Sequence, residues 1–222
     1  MKLLPKNVRL FLVFRVLFNA RFYYPVLAIM FVDLGLTLDQ YALLNVAWAA
    51  SIVAFELPLG AVSDRLGRRP LIIGAAARMV VEMGVLAFAP TGNATLLFWV
   101  FIVNRVLSGL AEAAASGADE ALAYDTLMED DRQGEWPQVL THLQRLSAAG
   151  FLLSTLIGAM VYDADLLNRI GSFLGLDFGL AAADTVRFPV YLTLLMAVGA
   201  FCVTLRMREP GQIGRASCRE RV

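Results

Sequence analysis

Histidine and cysteine are almost missing from this chain: 222 residues contain one histidine and two cysteines. A disulfide framework is thereby excluded, and no cluster with metal-ligand spacing can be assembled. Charge is scarce as well. Only 17% of residues are Asp, Glu, Lys or Arg, and their formal charges cancel. The basic residues are not clustered as a nucleic-acid binder requires, so no nucleic-acid partner is expected. There is no glycine-rich phosphate loop and no Ser–His–Asp arrangement beyond chance. No enzyme signature emerges, and no cofactor is implied.

Apolar side chains are what the chain has in abundance. Hydrophobic residues make up 59% of it, and the mean hydropathy is +0.65. Soluble domains rarely show this combination. A bilayer core needs roughly 20 apolar residues per helix, so six spans and their loops would use the whole chain. The alternative is a soluble domain with an oversized core. No cleavable signal peptide is apparent. The first apolar run is too long and carries Arg15 and Arg21, with no small-residue cleavage site after it.

Apolar windows predict an all-α, polytopic transmembrane protein with helices over 8–33, 40–62, 70–90, 95–118, 138–162 and 188–207. The fourth is expected to continue to about residue 128, because 118–128 stays helix-favouring while turning acidic. Pro137 is a plausible first residue of the fifth. Segment 163–187 is expected to be a loop with a short surface helix, since 166–180 is amphipathic. Positive charge sets the orientation. With the N-terminus in the cytoplasm, the inner side holds Lys2, Lys6, Arg9, Arg65, Arg68, Arg69, Arg132, Arg206 and Arg208. The outer side then holds only Arg169 and Arg187.

The stretch 213–222, Ile-Gly-Arg-Ala-Ser-Cys-Arg-Glu-Arg-Val, resembles the translation of a common short-read sequencing adapter, and Gln212 fits the codon before it. Residues 212–222 are therefore set apart from 1–211, as an expression scar would be. A natural basic tail at the membrane surface is the alternative. Without 213–222, three Arg and one Glu are removed, which leaves 16 Lys and Arg against 18 Asp and Glu. Cys202 then stands alone in an apolar segment, where a lone buried cysteine usually serves packing.

Between the second and third runs lies Gly60-Ala-Val-Ser-Asp64-Arg65-Leu-Gly67-Arg68-Arg69-Pro70. Its glycines suit a tight turn, and its arginines resist crossing and meet anionic headgroups. Asp64 weakens a pure anchor, so it needs a partner such as an arginine or a helix N-terminus. The pattern Gly-x-x-x-Asp-Arg-x-Gly-Arg-Arg resembles the signature loop of the major facilitator superfamily of secondary transporters. That resemblance implies two six-helix bundles around a central cavity, each made of inverted three-helix repeats. The chain would then be the N-terminal bundle, lacking a C-terminal six-helix half. It also implies a latch, in which Asp64 contacts the other half. Arg68 would reach an acid at the inner end of helix four: Asp125 first, with Glu120 or Glu129 as alternatives. Glu209-Pro210 resembles the family's exit from helix six.

On helix four, Arg105, Gly109, Glu112, Ser116 and Asp119 fall within about 40° of one line and must face protein or a watery cavity. Facing lipid, each ionisable group would cost roughly 2.5–3.5 kcal/mol. An Arg105–Glu112 packing pair is the bland reading; a cavity lining is the functional one. Arg105-x-x-x-Gly109 resembles the family's helix-four motif, whose arginine is linked to proton coupling, and Glu112 is the carboxylate expected to answer it. In the first run Arg15, Asn19 and Phe22 share a face, with Arg21 well round from it. Arg15 either marks a functional site or reaches the inner surface by its long stem. Asn45, Trp48, Ile52 and Glu56 line one stripe of helix two. Arg78 and Glu82, four apart, are expected to pair within helix three, and His142 to be solvated or capping. In helix five, Gly150, Ser154, Thr155, Gly158 and Ala159 match the exporters' glycine motif only in part. The expected function is movement of a small solute by alternating access across the cytoplasmic membrane, coupled to protons. A non-transporting sensor or scaffold, or a half-length chain working as a homodimer, are the alternatives.

Overall fold

In a bilayer each backbone polar group must be satisfied internally, which leaves the helix as the solution for a single span. The computed structural model describes residues 4–210 apart from 91, 116 and 177, and omits the side chains of 59–66, 114 and 115. Ser116 and the adapter-like 212–222 therefore lie outside the described residues, as do the side chains of Asp64 and Arg65 and the surroundings of Gly60. Every regular element among the described residues is a helix, and six helical stretches are long and apolar enough to cross a membrane.

The first of these is broken. Helix α1 (Lys6–Asn19) stops, a short turn follows, a 3-10 segment covers Tyr24–Val26, and α2 (Leu27–Asp33) completes the crossing. Pro25 opens that segment, and it has no N–H to give to a continuous helix. The freed Phe22 N–H donates to the Thr193 hydroxyl at 3.1 Å. The single continuous helix expected over 8–33 is thus corrected, and with it the shared face of Arg15, Asn19 and Phe22.

Helix α3 (Leu38–Leu66) and α4 (Arg68–Phe88) are separated by Gly67 alone, at φ +89°. The stretch expected to form an eleven-residue loop is instead mostly the last turns of α3. A residue with a side chain would be strained at that φ. The fourth span is α5 (Ala94–Ala115) followed by α6 (Ala118–Glu129), with Gly117 at φ +75° between them. It runs on to the expected depth, but as two helices. Helix α7 (Trp136–Tyr162) is the fifth span, and α10 (Phe188–Leu205) is the core of the sixth. Between them lie α8 (Ala164–Phe173) and the one-turn α9 (Ala182–Thr185). Asp163 ends α7 and caps α8, its carboxylate accepting from Leu166 N–H at 3.1 Å.

Span two packs on span four, span three on spans four and six, and span one on spans five and six. Large side chains fill the centre, among them Phe14, Phe18, Tyr23, Met30, Phe31, Met79, Met83 and Phe101. A second cluster (Val8, Phe11, Leu127, Val139 and Leu143) ties α1, α6 and α7 at the end bearing the N-terminus. Outward faces of α3 and α7 are apolar and open, with Leu57 84% exposed, as surfaces meeting an apolar surround must be. Cys202, expected to be buried, stands on an exposed face of α10.

Candidate functional site

Charged side chains inside a span need partners, and here they form tiers along the bundle. At the end bearing the N-terminus, Arg68 pairs with the Asp125 carboxylate and donates to Ala121 O at 2.6 Å. The N–H groups of Arg68 and Arg69 donate to Glu209 at 2.9 and 2.8 Å. Glu209 thus caps the N-terminus of α4, where a negative charge is favoured. The Arg69 guanidinium donates to Leu205 O at 3.2 Å. Near Gly67, a Cβ would lie 3.1 Å from Glu209 Oε1, so the turn and the cap are fitted closely.

Deeper in, Arg15 Nε lies 2.6 Å from Asp119 Oδ2, close but not aligned as a hydrogen bond. Its Nη2 donates to Glu120 at 3.1 Å. Asp119 is buried. It belongs to α6 beyond the Gly117 break, which separates it from the α5 stripe on which it was expected.

The central tier is built on the broken segment of span one. Arg21, 5% exposed, lies 3.7 Å from Glu82 on α4 and 3.6 Å from Glu112 on α5. Its guanidinium sits 5.5 Å from the Phe18 ring centre and 5.6 Å from that of Tyr24, and it donates to the Tyr23 hydroxyl at 3.3 Å. These are the distances of cation–π contact. Glu82 is 1% exposed, with Ser108 beside its carboxylate and Arg21 3.7 Å away. Arg105 is buried over the Phe31 ring at 5.5 Å, with Nε and Nη2 unpartnered.

Several expectations are corrected here. Glu112 meets Arg21, not Arg105. Arg78 and Glu82 do not pair: Arg78 donates to Leu110 O at 3.1 Å on the neighbouring α5. In both cases a partner across a helix interface replaces the neighbour along the helix. His142 binds the Gln138 carbonyl at 2.7 Å on its own exposed turn. Asn45 likewise donates to Tyr41 O at 2.9 Å.

Two cavities meet at Glu112, whose side chain is 45% exposed. One, of about 390 Å³, is lined by Arg15, Ile52, Glu56, Glu112, Ala113, Gly117 and Glu120. The other, of about 340 Å³, is lined by Asn19, Arg21, Tyr24, Trp48, Glu112, Ser147 and Phe151. Gly109 sets the geometry between them. A Cβ there would lie 2.6 Å from Ser51 Cβ and 2.8 Å from Trp48 O, so α3 and α5 cross at that point. Arg105 lines neither cavity. Arg21, Glu82 and Glu209 were not anticipated as site residues. The wheel of an unbroken helix puts Arg21 off the polar face, spacing pairs Glu82 locally, and Glu209 resembles a helix exit. Their one signal was charge inside or beside apolar runs.

A bundle of apolar helices with ion pairs and cavities inside defines a multi-pass membrane protein. Residues 10–164 match the family model described as Major Facilitator Superfamily, and the chain belongs to that family. Among similar proteins, the class G tetracycline resistance protein of Vibrio anguillarum is 28% identical over 127 residues, 57% of this chain and 28% of that protein. The multi-drug resistance efflux pump PmrA of Streptococcus pneumoniae is 27% identical over 168 residues, 74% of this chain and 39% of that protein. The inner membrane transport protein YajR of Escherichia coli is 35% identical over 78 residues, 35% of this chain and 15% of that protein. The matches thus span less than half the length of these relatives.

Proposed function

We propose that this chain is the N-terminal six-helix half of a proton-coupled exporter that moves a small amphipathic solute across the cytoplasmic membrane by alternating access. Glu112 carries the reading: a half-exposed carboxylate within a span, where two cavities meet and a buried arginine approaches it. A charge so placed is kept for a path, not for stability. Arg15, Asn19 and Glu56 line the same path, and Arg105 sets the field behind it. Efflux is supported by the names of the relatives. The distribution of Lys and Arg supports a cytoplasmic N-terminus. A C-terminal six-helix half would close the cavities, and the short match to longer relatives supports it. Gly60, Asp64, Arg65, Gly67, Arg68 and Arg69, with Asp125, form the latch at the inner face.

The test uses the full-length gene product in proteoliposomes, with an imposed pH gradient and amphipathic dyes of either charge. Dye movement should follow the gradient, and Glu112→Gln should abolish the gradient-driven part. Movement indifferent to the gradient removes the proton from the scheme, and no movement of any dye removes transport. Asp64→Asn should lower turnover more than expression; equal loss of both would make the latch merely structural.

A further inference from the structure

Within the central tier, Glu112 faces a cation that the chain itself supplies. An organic cation, the Arg21 guanidinium, lies 3.6 Å from its carboxylate and against the faces of Phe18 and Tyr24. Arg21 is also 3.7 Å from Glu82 on the other side. Both distances exceed a charge-assisted hydrogen bond, which closes at roughly 2.7–2.9 Å. Arg21 is therefore shared between two carboxylates and closed onto neither. One partner faces the cavities. The other is buried beside Ser108, with Arg21 still 3.7 Å away, and a closer guanidinium would better compensate that buried charge.

The wall beside Glu112 is suited to a second cation. Tyr24, Trp48 and Phe151 line the smaller cavity with it, and aromatic faces attract cations of low hydration. Charge points the same way. Among the described residues around these tiers, the guanidiniums of Arg15, Arg21 and Arg105 stand against the carboxylates of Glu56, Glu82, Glu112, Asp119 and Glu120. Carboxylates are formally in excess, and an anion would meet repulsion. Ser108 and Arg105 are the other polar groups near Glu82, and Tyr23 lies beside Arg21.

We propose that Glu112 with Tyr24, Trp48 and Phe151 forms a binding site for an organic cation bearing aromatic surface, and that Arg21 is its tethered stand-in. When such a cation enters, Arg21 releases Glu112 and closes onto Glu82. The exchange needs only side-chain rotation, because the backbone of the broken segment is held by Thr193 at Phe22 N–H. Arg21 acts as a positioning residue that links cavity occupancy to the buried carboxylate. This rests on the transport reading above but makes a separate claim about binding.

The experiment is equilibrium binding to the full-length protein in nanodiscs. Its probes are methyltriphenylphosphonium and its neutral relative triphenylphosphine oxide. Glu112→Gln should weaken the cation about tenfold or more, the effect of removing one charge from a close, partly desolvated ion pair, with little change for the neutral probe. Arg21→Met combined with Glu82→Gln removes the competitor and its alternative seat together, while Arg105 keeps its place over the Phe31 ring. It should tighten cation binding about tenfold, by the same ion pair regained. A merely structural Arg21 would weaken both probes on removal. If that double variant does not fold, Arg21→Lys decides, since lysine keeps the charge but loses flat stacking; the cation should again bind tighter. Cation binding that ignores Glu112→Gln, or fails to tighten when Arg21 is replaced, overturns the proposal. A wild-type protein that binds the cation yet moves no dye would sink the transport reading and leave this one standing.

Discussion

Gly158→Ala should be among the most damaging single-methyl changes in the bundle. A Cβ at Gly158 would lie 1.8 Å from Phe22 O, 2.6 Å from Phe22 C and 3.0 Å from Phe22 Cα. These are backbone atoms, so no rotamer can move them aside. Ordinary contact between carbon and its neighbours begins near 3.5 Å, so α7 and the broken segment must separate by roughly 1.5 Å. Overpacking a core usually costs about 1–3 kcal/mol. Separation would also loosen the Thr193 bond to Phe22 N–H, and an orphaned buried N–H adds about 1–3 kcal/mol. The combined loss should reach about 3–6 kcal/mol by these two terms. Gly84→Ala is the control, since a Cβ there meets nothing within 4 Å and alanine is the better helix former. Thermal unfolding of the full-length protein in detergent, followed by size-exclusion fluorescence, should show a large drop for Gly158→Ala and none for Gly84→Ala. Equal stability of the two variants would refute the close approach of α7 to the break, and with it the account of how Arg21 is positioned.

Thr193→Val keeps the shape of a side chain with no exposure but removes the acceptor for Phe22 N–H. It should cost about 1–3 kcal/mol in the same assay, with Thr193→Ser recovering most of it. Glu209→Ala should speed hydrogen exchange at the Arg68 and Arg69 amides, which donate to its carboxylate. Because the cap is exposed, the stability loss should stay within about 1 kcal/mol; unchanged exchange would show that the cap does not hold in the bilayer.

The number of spans was legible in the sequence because the cost of burying polar backbone in lipid acts on each apolar run by itself. Run length alone therefore places helices over the second, third, fifth and sixth spans to within a few residues. The Arg68–Asp125 contact was also within reach of the sequence. The family's loop names the arginine, and an acidic turn at the end of span four supplies the partner. The breaks were not legible in the same way. A helical wheel assumes one continuous helix, and the turn before Pro25 resets the azimuth of everything after it. Arg21, placed off the polar face by that wheel, swings to the centre instead. Gly117 does the same to Asp119.

Partners across interfaces needed the tertiary structure. Arg78 and Glu82 sit at ideal spacing for a pair along one helix, an interaction worth only about 0.2–0.5 kcal/mol. Packing offers each a better partner. Arg78 finds a carbonyl on α5, and Glu82 a guanidinium from span one. The sequence by itself determined that this is a bundle of six apolar spans with charged residues inside them. Which charges meet was decided by Gly158, Thr193 and Gly109, whose close contacts set where the helices touch.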